Sequence, residues 1–351
     1  MKKILFLPKY PRMGASSRLR TYQFLPLWEE AGYGVRVDSF FNKAYLKDVY
    51  RQRVPGFWNV LGCYFKRMWV LMGVWRYDMV LVEKELFPYL PAWAEWLLAY
   101  LGPGYVVDYD DAVFHRYDTQ GNFLVRNFLG KKIDRVMRRA RTVFAGNGYL
   151  AQRAKEAGAK SVVLLPTVID PKRYRKKEEN ETGKVWIGWI GSPSTLKYVK
   201  EIKDELEEVC LQANAGLLLV NGNLGFGFKG DLRVIPWTEE GEVDAILQMD
   251  IGVMPLPDNE WERGKCAYKL IQYMACGLPV VASPVGMNNE VVGHGENGFL
   301  ASGSAEWKNA LLTLIQDAAL RKKMGENGYE LVQERFTLRG NFGVMVEEVR
   351  G

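Results

Sequence analysis

Trp261–Glu290 reads WERGKCAYKLIQYMACGLPVVASPVGMNNE, and the order of residue types in it decides the fold. A polar start gives way to an amphipathic turn ending in MACG, then to the apolar run PVVAS at Pro279–Ser283 and a second loop ending at Glu290. Gly277 suits the position just past a helix C-terminus, and Pro279 cannot continue a helix. The stretch predicts a helix followed by a buried strand, half of an α/β unit. In open sheets of such units, ligands sit at the carboxyl ends of the strands, where loop amides and helix N-termini point outward. Lys265 and Lys269 stand one helical turn apart and Gln272 follows at i+3, so on a continuous helix the three share a face. Two ammoniums and an amide beside a helix start suit a diphosphate and its sugar hydroxyls. The other reading is a helix–strand pair whose lysines are merely solvated.

The same alternation continues on both sides. Before this stretch lie VWIGWIG from Val185, GLLLVNG at Gly216–Gly222, LRVIPW at Leu232–Trp237 and IGVMPLP at Ile251–Pro257. After it come GFLAS at Gly298–Ser302, helical sequence to about Arg335 and a last helix at Leu338–Val349. Apolar runs this continuous predict parallel strands buried on both faces. In the loop after the first of them, Gly191, Ser192, Ser194 and Thr195 precede a helix with Lys197 in its first turn. Lysine there opposes the helix dipole, so its presence argues for a bound anion; loop amides and an ammonium together cradle a phosphate.

An earlier set of strands is predicted at Lys3–Pro8, Val35–Phe40, Tyr77–Lys84, the start of Tyr105–Asp118, Thr142 onward and Val162–Asp170. The loop after the first carries Gly14, Ser16, Ser17 and Arg18 ahead of a helix to about Glu30. From the residues alone, a cap by Ser16 or Ser17 with exposed arginines is one reading of these groups. No G-x-G-x-x-G follows the strand, which weakens a dehydrogenase reading. The fourth strand runs into Asp108, Asp110 and Asp111. Three carboxylates at a strand end invite a hard metal ion, since such cations take oxygen ligands. His115 follows within reach of them, as a structural or an acid–base histidine. Asn147 is placed to cap the helix after the fifth strand. Pro171–Lys184 is charged and almost without apolar residues, which predicts a linker. The expected organisation is residues 1–170, a linker at 171–184 and residues 185–335, with a helix at 338–351 crossing back to the first half.

A chain of 351 residues exceeds the usual size of one core, and 48% hydrophobic with 25% charged residues describes a soluble globular protein. The net charge of +6 is mild; it suits an acidic partner such as a nucleotide or an anionic membrane face, and no basic run interleaved with aromatics points to nucleic acid. Cys63, Cys210, Cys266 and Cys276 are scattered, as reduced thiols in a cytoplasmic protein would be. MKKILFLPKYPR has too short an apolar run for a signal peptide and reads as a first strand. The aromatic, basic stretch from Tyr50 to Arg76 is interrupted by Lys66 and Arg67 and is too charged to span a bilayer. It is either an amphipathic helix lying on an anionic membrane surface, on the inner face of the membrane, or domain core with snorkelling basic side chains.

QYMACGLPVVASPVG, residues 272–286, resembles the C-terminal signature of family-four glycosyltransferases of the GT-B fold. The usual signature carries E, seven residues, E before AMACGLPVV; here Gly264 and Gln272 stand at the two glutamate positions. The chain is similar to a branch with K-x-x-(E/Q)-Y-M-A, here Lys269–Ala275. The segment from Val143 also resembles the family's V-x-G-N-x-Y-L. The resemblance implies an α/β protein of two Rossmann-like doubly wound domains facing across a cleft, acceptor side first and donor side second. It implies transfer of a sugar from a nucleotide-diphosphate sugar to a hydroxyl on a glycan, lipid-linked or small-molecule acceptor, with retention and without a metal or other cofactor. Gly14, Ser16, Ser17 and Arg18 would then lie against the donor diphosphate, with Gly191, Ser192, Ser194 and Thr195 on its other side. Lys197 would be the family's phosphate lysine, with Lys265 in place of a missing arginine. Trp237 stands where relatives hold the base, either stacking on it or plugging the sheet edge. Gln272 falls at the ribose position, and Glu290 at one that orients a sugar hydroxyl. Lys197, Lys265, Lys269 and His115 form the expected catalytic set, with Asp110 and Asp111 on the acceptor side. Two rivals stand: a GT-B nucleotide-sugar epimerase, and a non-catalytic nucleotide-binding or membrane scaffold, which the absent glutamates keep open.

Overall fold

The structure is a computed structural model that describes residues 1–178 and 183–350, the side chains of Leu224 and Arg350 excepted. Its strands form two sheets in which every neighbouring pair is parallel. The first contains β1 (Lys3–Leu7), β2 (Gly34–Val37), β3 (Met79–Glu83), β4 (Tyr105–Tyr109), β5 (Thr142–Ala145) and β6 (Val162–Leu164), in the order β2-β1-β3-β4-β5-β6. The second contains β7 (Val185–Ile190), β8 (Ala215–Val220), β9 (Leu232–Ile235), β10 (Ile251–Met254), β11 (Val280–Ala282) and β12 (Gly298–Leu300), in the order β12-β11-β10-β7-β8-β9. Helices connect the strands, so central strands are covered on both faces. Ile4, Leu5, Val80, Val106 and Val107 are fully buried in one sheet, and Leu217, Leu218, Ile251 and Val253 in the other. That is why these strands appear in the sequence as unbroken apolar runs.

Each sheet has one reversal of winding. In the first, the chain leaves β1 for β2 on one side and returns to β3 on the other; in the second, it winds outward through β8 and β9, then resumes at β10 on the far side of β7. The carboxyl ends beside these reversals are where loops diverge and leave room for a ligand.

The chain divides into two compact units. One is Met1–Thr167 with Gly264–Cys266 and the chain from Asn341 onward; the other is Val168–Arg263 with Ala267–Gly340. The expected linker falls differently: residues 179–182 lie outside the described residues, and 171–178 belong to the second unit. Tyr174 is buried there, and the Lys177 amide donates to the Cys276 carbonyl at 2.9 Å. The helix expected to reach Glu30 is broken into Ala15–Arg20, a 3-10 turn and Leu25–Glu30, with Pro26 in the last one's first turn, where its missing N–H is tolerated. Gly14, not a serine, stands at the N-cap. Asn147 does cap its helix, accepting from the Leu150 amide at 2.9 Å. All four cysteines are buried free thiols. Over Tyr50–Arg76 the core reading does not hold, because Trp58, Phe65 and Trp69 on the Phe57–Met72 helix are exposed while Arg67 is buried.

The QYMACG motif has a mechanical explanation. The Tyr273 ring crosses β10 over Gly252, where a Cβ would stand 2.3 Å from it, and the Tyr273 hydroxyl accepts from the Ile190 amide at 3.0 Å. The helix Tyr268–Ala275 is thereby pinned across β10 to the end of β7. Gly277 ends it in the left-handed region (φ 73°), as the sequence predicts, with its amide on the Met274 carbonyl and the Leu278 amide on the Tyr273 carbonyl.

Candidate active site

In the second unit, the loop after β7 and the Tyr268–Ala275 helix meet at Trp189. The Lys269 ammonium lies 5.3 Å from the centroid of that buried ring, a favourable cation–π arrangement. Gly191 presses on the same ring; a Cβ there would stand 2.4 Å from it. The loop is closed by its own polar groups: Ser192 and Ser194 hydroxyls bond at 2.9 Å, Thr195 Oγ1 donates to the Ser192 carbonyl, and Asn221 Nδ2 donates to the Gly191 carbonyl at 3.0 Å. A 3-10 turn, Pro193–Thr195, leads into the helix Leu196–Glu201. Lys197 is exposed at its start, 4.9 Å from the ring centroid of Tyr198, whose hydroxyl bonds the buried Glu262.

Gln272 is buried, and its amide donates to the Tyr174 hydroxyl at 2.9 Å. Tyr174 donates to Glu242 Oε1 at 3.1 Å, and Trp237 Nε1 donates to Glu242 Oε2 at 2.9 Å. Two predicted residues, Gln272 and Trp237, are thus joined through two that sequence reasoning missed. Tyr174 lay in a charged run; a lone tyrosine there was the available signal. Burial pushes its hydroxyl well above the ordinary tyrosine value, which keeps it a neutral donor. Glu290 is exposed on the Asn288–Val291 turn.

In the first unit, a charged cluster gathers at the carboxyl ends of β1, β3 and β4. Its centre is Glu83 and Lys84, missed from the sequence although an E-K-E run directly after an apolar strand was visible. Ser17 donates to Glu83 Oε2 at 2.5 Å, and the Lys9 amide to the same oxygen at 3.1 Å. Ser16 Oγ lies 3.0 Å from Glu83 Oε1 and 2.5 Å from Asp110 Oδ2, and accepts from the Lys84 ammonium at 3.1 Å. One hydroxyl proton serves one carboxylate, so the other contact requires a protonated carboxyl. Burial, with Asp110 adding to it against the pull of Lys84, raises the Glu83 carboxyl. Lys84 holds a left-handed backbone (φ 67°), unusual for lysine, with its ammonium 2.8 Å from Asp110 and 3.4 Å from Asp111. Burial pulls its pKa down, but these carboxylates outweigh burial and raise it.

Asp108 is held by Arg20, whose Nε donates at 2.8 Å and whose Nη1 reaches the Leu165 carbonyl. Gly14 packs on Tyr10, and Arg18 is buried. His115 has both ring nitrogens engaged, Nδ1 with Asp118 and Nε2 with the Tyr149 hydroxyl, each at 2.8 Å.

The structure corrects one expectation outright. Lys265 and Lys269 do not share a helical face, because Ala267 is left-handed (φ 49°) and the helix begins only at Tyr268. Lys265 lies in the irregular segment Gly264–Cys266 of the first unit, where its ammonium pairs with Asp111 Oδ1 at 2.9 Å and its carbonyl accepts from Asn147. Gly264 beside it packs on Ala112: a Cβ would stand 2.5 Å from Ala112 Cβ and 2.7 Å from its nitrogen. No side chain fits where the usual signature has its first glutamate.

Comparison with known proteins bears on both units. Residues 197–317 match the family described as "Glycosyl transferases group 1". An uncharacterised glycosyltransferase of Methanocaldococcus jannaschii is 26% identical over 188 residues, 49% of this chain and 46% of that protein. N-acetyl-alpha-D-glucosaminyl L-malate synthase of Bacillus anthracis is 24% identical over 196 residues, 50% of each. The chain spans about half the length of the curated relatives it matches. Among solved structures, HepE of Anabaena, determined in complex with UDP and glucose, superposes with a TM-score of 0.71 at 17% identity, covering 100% of both chains. The chain has the two-domain α/β architecture of GT-B proteins, and residues 197–317 of its second unit match the glycosyl transferases group 1 family.

Proposed function

We propose that the protein is a glycosyltransferase that moves a sugar from a nucleotide-diphosphate donor to a hydroxyl acceptor, with retention at the anomeric carbon. The observation that carries this reading is Lys269, within the matched residues, held over the Trp189 ring on which the Gly191 loop also packs, at the winding reversal of the second sheet. In the reaction the bond from the anomeric carbon to the diphosphate breaks with its electron pair passing to the diphosphate. The acceptor oxygen takes its place on carbon and gives its proton to the departing phosphate. Charge thus develops on the diphosphate, and Lys269, Lys197 and the amides of the Gly191–Thr195 loop are the groups that stabilise it. Lys265, already paired with Asp111, serves to position the acid cluster. The Trp237–Glu242–Tyr174–Gln272 network holds the base and ribose end. On the acceptor side, Asp110 and Asp111 orient the hydroxyl, with Glu83 and Lys84 fixing their charge. The reading needs no metal: lysines perform the charge stabilisation that a metal ion provides elsewhere.

The test is a donor screen. Thermal stabilisation is measured with UDP first, then GDP, ADP and TDP, followed by diphosphate release from each matching sugar nucleotide. Stabilisation by one diphosphate with slow hydrolysis of its sugar supports a transferase. A new nucleotide sugar formed without acceptor identifies an epimerase, and stabilisation by none of the four sinks the reading.

A further inference from the structure

We propose that the first unit docks on the surface of an anionic phospholipid bilayer through the Phe57–Met72 and Trp93–Tyr100 helices. Both are built inside out. On Trp93–Tyr100 the one charge, Glu95, is buried and accepts from the Leu86 amide at 2.9 Å, while Trp93, Trp96, Leu97 and Tyr100, at helical spacing, are exposed. On Phe57–Met72, Arg67 is buried, donating to the Asp38 carbonyl at 3.0 Å with its guanidinium 5.4 Å from the Phe40 ring. Trp58 (79% exposed), Phe65 and Trp69 (73%) lie on the outside instead. A helix against water places charge outward and hydrophobes inward, and an extended exposed apolar patch marks an interaction surface.

Stacked rings join the helices into one surface: Tyr64 lies on Phe87 with centroids 6.0 Å apart, and Phe87 on Trp93 at 5.6 Å. Beside them runs an apolar groove of about 360 Å³ lined by Phe57, Leu61, Phe65, Met68 and Leu90, a shape that accepts an acyl chain. Charge selects the occupant. Lys43, Lys47, Arg51, Arg53 and Arg76 are exposed, and Asp48 is the only acid between residues 43 and 76. Aromatic anchors flanked by basic side chains suit an anionic lipid headgroup layer; a second copy of the chain would bring the same positive charges together. Among the described residues no helix is long and apolar enough to cross a membrane, so the contact lies along the surface.

The test is flotation of the full chain with vesicles of phosphatidylcholine, alone or mixed with phosphatidylglycerol. The protein is expected to float with the mixed vesicles, less so at high salt, and scarcely with phosphatidylcholine. Trp58→Ser/Trp69→Ser/Trp96→Ser should lower bound protein by about tenfold or more with circular dichroism and Tm unchanged. Lys47→Gln/Arg51→Gln/Arg53→Gln, which leaves every ring in place, should remove the preference for anionic lipid. The proposal is overturned if the native chain floats with neither vesicle, or if both variants float like the native chain. It is equally overturned if the native chain is a dimer that the tryptophan variant disperses while neither binds lipid. Lipid binding is read without turnover, so these outcomes are independent of the proposed reaction.

Discussion

Replacing Gly264 by alanine adds a single methyl group where the structure leaves no room for it. The new Cβ would stand 2.5 Å from Ala112 Cβ, 2.7 Å from its nitrogen and 3.1 Å from its Cα, against ordinary contact from 3.4 Å. The shortfalls are 3.4 − 2.5 = 0.9 Å and 3.4 − 2.7 = 0.7 Å, and nitrogen and Cα are backbone that cannot swing aside. Overpacking of this kind costs about 1–3 kcal/mol, which at ~3 °C per kcal/mol for a unit of this size lowers Tm by about 3–9 °C. Relief requires Gly264 and Ala112 to separate, and that stretches the neighbouring 2.9 Å pair between Lys265 and Asp111. Activity should therefore fall with stability. Gly264→Glu, which restores the glutamate of the usual signature, meets the same clash with a longer side chain and should be worse in both. The assay is thermal unfolding by circular dichroism alongside diphosphate release from the preferred donor. An alanine variant within about 1 °C of the native Tm, or a glutamate variant with higher activity, would refute the packing argument.

Lys269→Met should keep the native Tm but slow transfer by about 10²–10³-fold; near-normal turnover at saturating donor removes Lys269 from the mechanism. Gln272→Glu takes away the donor that Tyr174 accepts and places a carboxylate near Glu242, at a cost of about 1–3 kcal/mol, and a variant as stable as the native chain in urea would contradict this. For Asp111, burial pushes the carboxyl up, but Lys265 and Lys84 outweigh it and hold it well below the ordinary 3.8. A depressed acid stabilises the fold fully above its unfolded pKa and loses that contribution as pH falls below it. Asp111→Asn should thus be less stable than the native chain at neutral pH, with the gap closing as pH falls below 3.8; a gap independent of pH would show that the ion pairs contribute nothing.

Much of the fold was legible because parallel strands buried on both faces cannot alternate polar and apolar residues. KILFL, MVLVE and GLLLV announce themselves without any tertiary information. Gly277 and Asn147 were legible for a local reason: a left-handed helix end and a side-chain cap involve residues only a few positions apart. The breakdown at Lys265 is equally local in origin but invisible in residue type, since alanine at 267 carries no signal for the left-handed turn that separates Lys265 from the helix.

Sequence by itself determined the two sets of strands, the glycine-bearing loops at their carboxyl ends and the lysines near them, because periodicity, caps and breakers act over a few residues. Only tertiary structure decided which charges meet. Ser16 and Ser17 reach Glu83 because β1 and β3 are neighbours in the first sheet, Lys265 finds Asp111 across 154 residues of chain, and Gln272 and Trp237 are joined through Tyr174 and Glu242. The same holds for the outward-facing rings of Trp58, Trp69 and Trp96. Their composition matches that of a buried helix, and only the packing of Arg67 and Glu95 inward shows that the apolar side is the one left to the outside.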